Sequence, residues 1–404
     1  EGGALPLADT TKLNVFGWSS TNPVYGGTGS GSVDVTTCVT LLQGLKNAGF
    51  EPNEALSDFY TGYRGDRPQV GMGGQDWTIP EPTMEEYDNA GIFEQAKEYS
   101  DTAVIVIART GGENTDLPTS ITDEDTYKET GGWAGASGVR YTTNPDDVAP
   151  EKSLLELSNR EQAMVERVTS EFDNVIVVVN SSNAMELGWL EQYDSIKGAV
   201  WCAGPGQTGF NALGRILNGT VNPSGRLVDT FVYDLHAIPA INYVVDLQYD
   251  NTHDMVNASP DGWLNATFTN YAESIYVGYK YYETAAAEGF IDYDKVVQFP
   301  FGYGLSYTSF ETEVLGAEEK DGKIVVKASV TNTGKRAGKE VVQLYYGAPQ
   351  GLLGKPARVL GAFEKTKELK PGETETLVLT LPTAAMASYD DLGKVQKSAY
   401  VLEK

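Results

Sequence analysis

Basic residues, histidine and cysteine are all scarce in this 404-residue chain. Its 30 Lys and Arg stand against 56 Asp and Glu, a formal charge of -26. Such a balance repels phosphate backbones and anionic lipid, so neither nucleic acid nor a membrane is expected as a partner, while an uncharged carbohydrate stays compatible. Solubility alone is the other reading of the charge. The two histidines, His236 and His253, are too few to suggest a metal site or a Ser-His pair. The two cysteines, Cys38 and Cys202, read as small core residues or a chance pair and leave the redox compartment open. No window of eighteen apolar residues exists, and from Glu1 onward there is neither a basic nor an apolar leader region. The expectation is a soluble chain, cytoplasmic or secreted.

The chain is long enough for two cores, and apolar residues at 41% with aromatics at 10% supply the material for them. Residues 13–16 read as a short buried strand, and 35–49 as a helix on the spacing of Val39, Leu42, Leu45 and Ala48. A second helix is expected over 90–99 and a strand over 103–108. Ser158-Asn159-Arg160-Glu161 is a capping box ahead of Met164, Val165 and Val168, and so starts an amphipathic helix. The unbroken β-branched run 175–179 suits a parallel strand covered on both faces, and a further strand is expected over 199–203 before a helix through Leu213, Ile216 and Leu217. Strands alternating with helices predict an α/β sandwich, a mostly parallel sheet with helices on both faces, over 1–220. The glycine-rich or polar turns at 17–31, 110–150, 180–183 and 204–209 all follow strand ends, so they should share one edge of that sheet, the edge where such folds collect ligands.

Gly26-Gly27-Thr28-Gly29-Ser30-Gly31 has the wrong spacing for a dinucleotide fingerprint and lies about ten residues past the strand end, so no cofactor is expected. Periodicity fades after Pro223, which marks 221–305 as a connecting region. From 306 to 404 short alternating runs at 324–330, 341–346 and 376–381, parted by Asn332-Thr333-Gly334 and Lys370-Pro371-Gly372, predict an all-β sandwich. Because residues 400–404 read as a strand entering a turn, the sandwich is expected to lack its last strand within this chain.

Arg109-Thr110-Gly111-Gly112-Glu113-Asn114-Thr115-Asp116 opens about forty residues without clear periodicity. Loops beyond ~15 residues are usually functional or disordered. This one carries Glu113, Asp116, Asp123, Glu124, Asp125, Tyr127, Trp133, Arg140 and Tyr141, the mixture of acids and aromatics that suits a sugar site; a solvated acidic loop is the plainer reading.

Several motifs, in order, resemble glycoside hydrolase family 3, the β-glucosidase and β-xylosidase group. They are Gly112-Glu113-Asn114; Gly219 to Phe231, with Asn222-Pro223-Ser224-Gly225-Arg226-Leu227 inside it; 275–284; 299–311; and 338–345 with Arg358-Val359-Leu360-Gly361. The resemblance implies the family's (α/β)-sandwich domain followed by a fibronectin type III-like domain. It also implies retaining hydrolysis of a β-glycoside, with Glu113 as acid/base and with Asp116, Tyr127, Trp133 and Arg140 as binding or supporting residues. Many members continue Glu-Gly-x-Asp-Arg, whereas this chain reads Glu113-Asn114-Thr115-Asp116-Leu117, without the basic partner. The family's nucleophilic aspartate sits on a TIM-like barrel that this chain lacks. The implied partner is therefore a barrel of the same or an adjacent chain, preceding or following this one, and 1–404 alone should be inactive. The competing reading is a non-catalytic carbohydrate-binding or scaffolding module.

Overall fold

The computed structural model describes residues 4–7, 9–64, 79–113, 127–128, 139–140, 152–237, 239–240 and 268–403. The chain divides into two units, one of Glu1–Val221 with Ala240–Asn270 and one of Asn222–Pro239 with Tyr271–Lys404. The stretch that the sequence sets apart as a connecting region is thus shared between them.

In chain order the first unit runs β1 (Lys12–Phe16), α1 (Leu41–Asn47), β2 (Glu51–Pro52), α2 (Glu54–Arg64), α3 (Met84–Asn89), α4 (Ile92–Tyr99) and β3 (Thr102–Arg109). It continues through β4 (Tyr127–Lys128), β5 (Val139–Arg140), α5 (Asn159–Glu171), β6 (Asn174–Ser181), β7 (Ile196–Trp201) and α6 (Phe210–Leu217). Five strands form one sheet in the order β2-β1-β3-β6-β7, every pairing parallel. All eight residues of β3 are buried, and so are all but the first of β6. A parallel sheet has no wet face, which is why these strands read as continuous apolar runs instead of alternating ones. One face of the core gathers Leu13, Val15, Val104, Val106, Ile176 and Val178 against Leu41 and Leu45 of α1 and Phe210, Leu213 and Leu217 of α6, with Cys38 and Cys202 at its margin. Both cysteines are free thiols.

The capping box expected at Ser158 forms: its hydroxyl accepts from the Glu161 amide at 3.1 Å while Glu161 accepts from the Ser158 amide at 2.9 Å. Other ends shift for local reasons. The helix expected over 35–49 begins only at Leu41, since Thr40 caps it by accepting from the Gln43 amide, and the β-branched stretch before it makes a single 3-10 turn, Val35–Thr37. The helix expected from Ala90 starts at Ile92, because Gly91 takes the left-handed conformation with φ 61° and separates α4 from α3. The strand expected over 199–203 runs from Ile196 to Trp201, and the Cys202 and Ala203 carbonyls turn instead toward Asn180 Nδ2. Two helices, α2 and α3, escape the sequence reading, although Thr83 and Glu86 form a second capping box.

The second unit holds β8 (Phe231–Val232), α7 (Tyr279–Ala287), α8 (Tyr293–Val296) and β9 (Val297–Phe299), then β10 (Phe310–Lys320), β11 (Lys323–Asn332) and β12 (Val341–Tyr346). After them come β13 (Val359–Lys365), β14 (Thr374–Pro382), β15 (Ser388–Asp390) and β16 (Ala399–Val401). An antiparallel sheet β10-β11-β14 and a pair β12-β13 enclose Ala328, Val330, Leu369, Leu377 and Leu379, with Phe310, Val342, Leu344 and Ala362 packed on them. Alternation is clean in β14, where Leu377, Leu379 and Leu381 are buried and the residues between them are not. Two family-like motifs are bound to each other: Asn222 Oδ1 accepts from the Ser306 hydroxyl at 2.9 Å and the Tyr307 amide at 2.8 Å, and Arg226 donates to the Gly304 carbonyl and pairs with Glu340.

Candidate active site

A parallel sheet brings the carboxyl ends of its strands to one edge, and polar side chains there join the turns. The Ser19 hydroxyl, after β1, donates to the Val106 carbonyl of β3 at 2.6 Å. Asn180, fully buried near the end of β6, accepts from the Val24 amide at 2.7 Å and donates to the Val24 carbonyl at 3.0 Å, while also reaching the segment after β7. Asn183 Nδ2 donates to the Thr110 carbonyl at 3.3 Å, and the Gly206 amide to the Tyr25 carbonyl at 2.7 Å. The four turns expected to share an edge do share it, as far as their described residues go.

Two of these turns meet at Glu113. After β3 the chain passes through Thr110, Gly111 and Gly112 and presents Glu113 exposed. The turn after β1 folds back on itself, Gly27 amide to Gly31 carbonyl at 3.0 Å, and lies directly against it. A β-carbon on Gly112 would collide with the backbone and hydroxyl of Thr28, so the close approach demands glycine there. The Thr28 hydroxyl donates to the Glu113 carbonyl at 2.7 Å. The Ser30 amide donates to Glu113 Oε2 at 2.6 Å, and the Ser30 hydroxyl donates to the same oxygen. These two donors, the hydroxyl foremost, hold the carboxyl below the usual carboxylate range, since both favour the ionised form.

A second acid lies at this edge and was missed by the sequence reading. Glu81 is fully buried; its Oε2 accepts from the Trp18 amide at 2.9 Å, and its Oε1 accepts from the Tyr87 hydroxyl. The Tyr60 hydroxyl is paired with that of Tyr87 and accepts from the Gly17 amide at 2.7 Å. Burial pushes Glu81 up to about 8. Nothing in the spacing of Tyr60, Glu81 and Tyr87 announces the cluster; the fold assembles it to bind the two amides that follow β1.

Asp116, Asp123, Glu124, Asp125, Trp133 and Tyr141 lie outside the described residues. Tyr127 and Arg140 are register partners in the short antiparallel β4-β5 ladder, which places their backbones opposite each other. His253 is also outside the described residues, and His236 is exposed. No helix among the described residues is long and apolar enough to cross a membrane.

The family model of the glycosyl hydrolase family 3 C-terminal domain matches residues 1–307. The chain belongs to glycoside hydrolase family 3. A fibronectin type III-like model matches residues 340–403, in line with the β-rich second unit. Family membership thus agrees with the α/β domain followed by antiparallel strands. β-Glucosidase A of Butyrivibrio fibrisolvens is 36% identical over 419 residues, an alignment covering 99% of this chain and 46% of that protein. A β-glucosidase of Ruminococcus albus is 34% identical, covering 97% of this chain and 35% of that protein. Among solved structures, a β-glucosidase from Paenibacillus barengoltzii superposes with a TM-score of 0.77 at 34% identity, covering 100% of this chain and 38% of that one. The chain therefore spans less than half the length of these relatives, and what it matches in them is the C-terminal domain type of β-glucosidase-like proteins.

Proposed function

We propose that this chain supplies the general acid/base, Glu113, to a retaining β-glycoside hydrolase whose nucleophilic aspartate lies on a barrel domain of the same or an adjacent chain. The observation that carries the reading is the exposed Glu113 carboxylate, held at the carboxyl edge of the sheet by a turn from another strand. A glycosidase needs two carboxyls about 5–5.5 Å apart for retention. In the first step the nucleophile bonds to the anomeric carbon while Glu113 gives its proton to the departing glycosidic oxygen. In the second a water attacks that carbon, Glu113 takes the water's proton, and the nucleophile leaves.

The second step needs Glu113 ionised, which is the state the Ser30 donors favour. The first needs it protonated, so the completed site must raise its pKa by desolvation and by the charge of the nucleophile. Asp116, Tyr127, Trp133 and Arg140 are proposed to bind or support the sugar. The relatives' names as β-glucosidases support a β-glucoside as substrate.

Purified 1–404 should not turn over a nitrophenyl β-glucoside, and adding the barrel segment should restore hydrolysis. Steady turnover by 1–404 alone that survives Glu113→Gln would overturn the reading.

A further inference from the structure

The turn over residues 26–31 closes on its own backbone, through Gly27 to Gly31, Gly31 to Thr28 and Ser32 to Gly29, none of which uses the Ser30 side chain. The turn's architecture therefore has no need of a hydroxyl at position 30. The hydroxyl is spent on Glu113, 83 residues away in sequence, and the amide of the same residue points to the same oxygen. Gly29, at φ +57°, is what turns the Ser30 amide in that direction, and a β-carbon there would stand 2.5 Å from Glu113 Oε2.

We propose that Ser30 is a positioning residue for Glu113, so that the glycine-rich turn after β1 serves the acid/base steps of glycoside hydrolysis. The inference rests on the reading of Glu113 as acid/base. An exposed glutamate behind two glycines has several rotamers open to it, and two donors on one oxygen select among them. They also divide the labour of the two oxygens. A proton on Oε2 would set its hydrogen against the Ser30 amide, so the exchanged proton belongs on Oε1. Oε1–H donates to the leaving oxygen in the first step, and Oε1 accepts from water in the second, while the Ser30 amide stays on Oε2 throughout. A group held in reacting geometry spares the search among rotamers that a loose one makes at every turnover.

The test uses 1–404 combined with the barrel segment, assayed on an alkyl and a dinitrophenyl β-glucoside across pH. Ser30→Ala keeps the amide and removes the hydroxyl. We expect kcat on the alkyl glucoside to fall about tenfold with KM changed less, the alkaline limb of kcat/KM to move to higher pH as one donor to the ionised form is lost, and Ser30→Thr to restore both. Melting temperatures are measured alongside. An alkaline limb and kcat that stay at wild-type values in Ser30→Ala overturn the proposal, as does a drop in melting temperature with the limb unmoved, which would make Ser30 purely structural. Glu113→Gln, run in the same series, separates the two levels of the argument: normal hydrolysis of the alkyl glucoside by that variant means the acid/base assignment itself is wrong.

Discussion

Arg109 and Glu161 form a two-pronged pair buried at the base of the Glu113 turn, Nη1 to Oε1 at 2.9 Å and Nη2 to Oε2 at 2.6 Å, each side chain 1% exposed. Arg109 is the last residue of β3, and Glu161 is the capping-box residue of α5. The remaining guanidinium donors reach the carbonyls of Ala108, Leu154 and Glu156 at 2.8, 2.5 and 2.6 Å. The end of the strand, the start of the helix and the segment between them are thereby tied at one point, four residues before Glu113.

Removing one partner of a buried pair strands the other charge. Arg109→Met and Glu161→Gln should each cost about 3–5 kcal/mol of unfolding free energy, read from urea titrations. The double variant should recover part of that loss, because no uncompensated charge remains. Single losses below about 1 kcal/mol would mean that water reaches the pair.

The buried Glu81 makes stability depend on pH. Its folded pKa is raised, to about 8, so its contribution is fully present below the unfolded carboxyl value and is lost as pH rises through about 8. Tyr60 and Tyr87 face it as neutral phenols with pKa values raised by burial, and Glu161 adds like charge. Melting temperatures of the wild type and of Glu81→Gln should therefore converge between pH 5 and 9, the wild type losing ground as pH rises. A constant difference across that range would show that Glu81 is ionised throughout.

In the enzyme reassembled from 1–404 and the proposed barrel segment, Glu113→Gln should slow hydrolysis of glycosides with poor leaving groups by about 10²–10⁴, the usual weight of general acid catalysis. A dinitrophenyl glycoside needs no proton to depart, so its first step should stay fast while breakdown of the glycosyl intermediate slows and is rescued by azide. Azide rescue at Asp116, Asp123 or Glu124, with Glu113→Gln normal, would move the assignment to that residue.

Gly29→Ala adds a methyl 2.5 Å from Glu113 Oε2 at a φ of +57°. Backbone strain alone costs about 1 kcal/mol, which the fold should tolerate. The displaced carboxylate should cost activity about 10- to 100-fold, as a misplacement of about 1 Å does. Full activity on a poor leaving group would show that the turn yields without moving Glu113.

In the second unit, Leu379 is buried between the two sheets and Leu377 and Ala328 share its core. Leu379→Ala should cost about 2–5 kcal/mol, measured as a shift in the urea midpoint. A change within 0.5 kcal/mol, roughly what a surface site shows, would contradict the packing.

The sequence by itself determined the strand and helix alternation, the Ser158 capping box, the alternating runs of the β-rich unit and the position of Glu113 just past a buried strand. Each of these is written in neighbouring residues, where the periods of strand and helix and the reach of a capping side chain leave a local pattern. Helix starts at Leu41 and Ile92 were legible only in part, because a threonine cap and a left-handed glycine outweighed the apolar spacing around them. Only the tertiary structure decided that Ser30 grips Glu113 across 83 residues, that Arg109 meets Glu161 across 52, and that Glu81 lies buried among tyrosines. Those pairings follow from which strand ends the parallel sheet sets side by side, and a short sequence window holds no trace of which strands become neighbours.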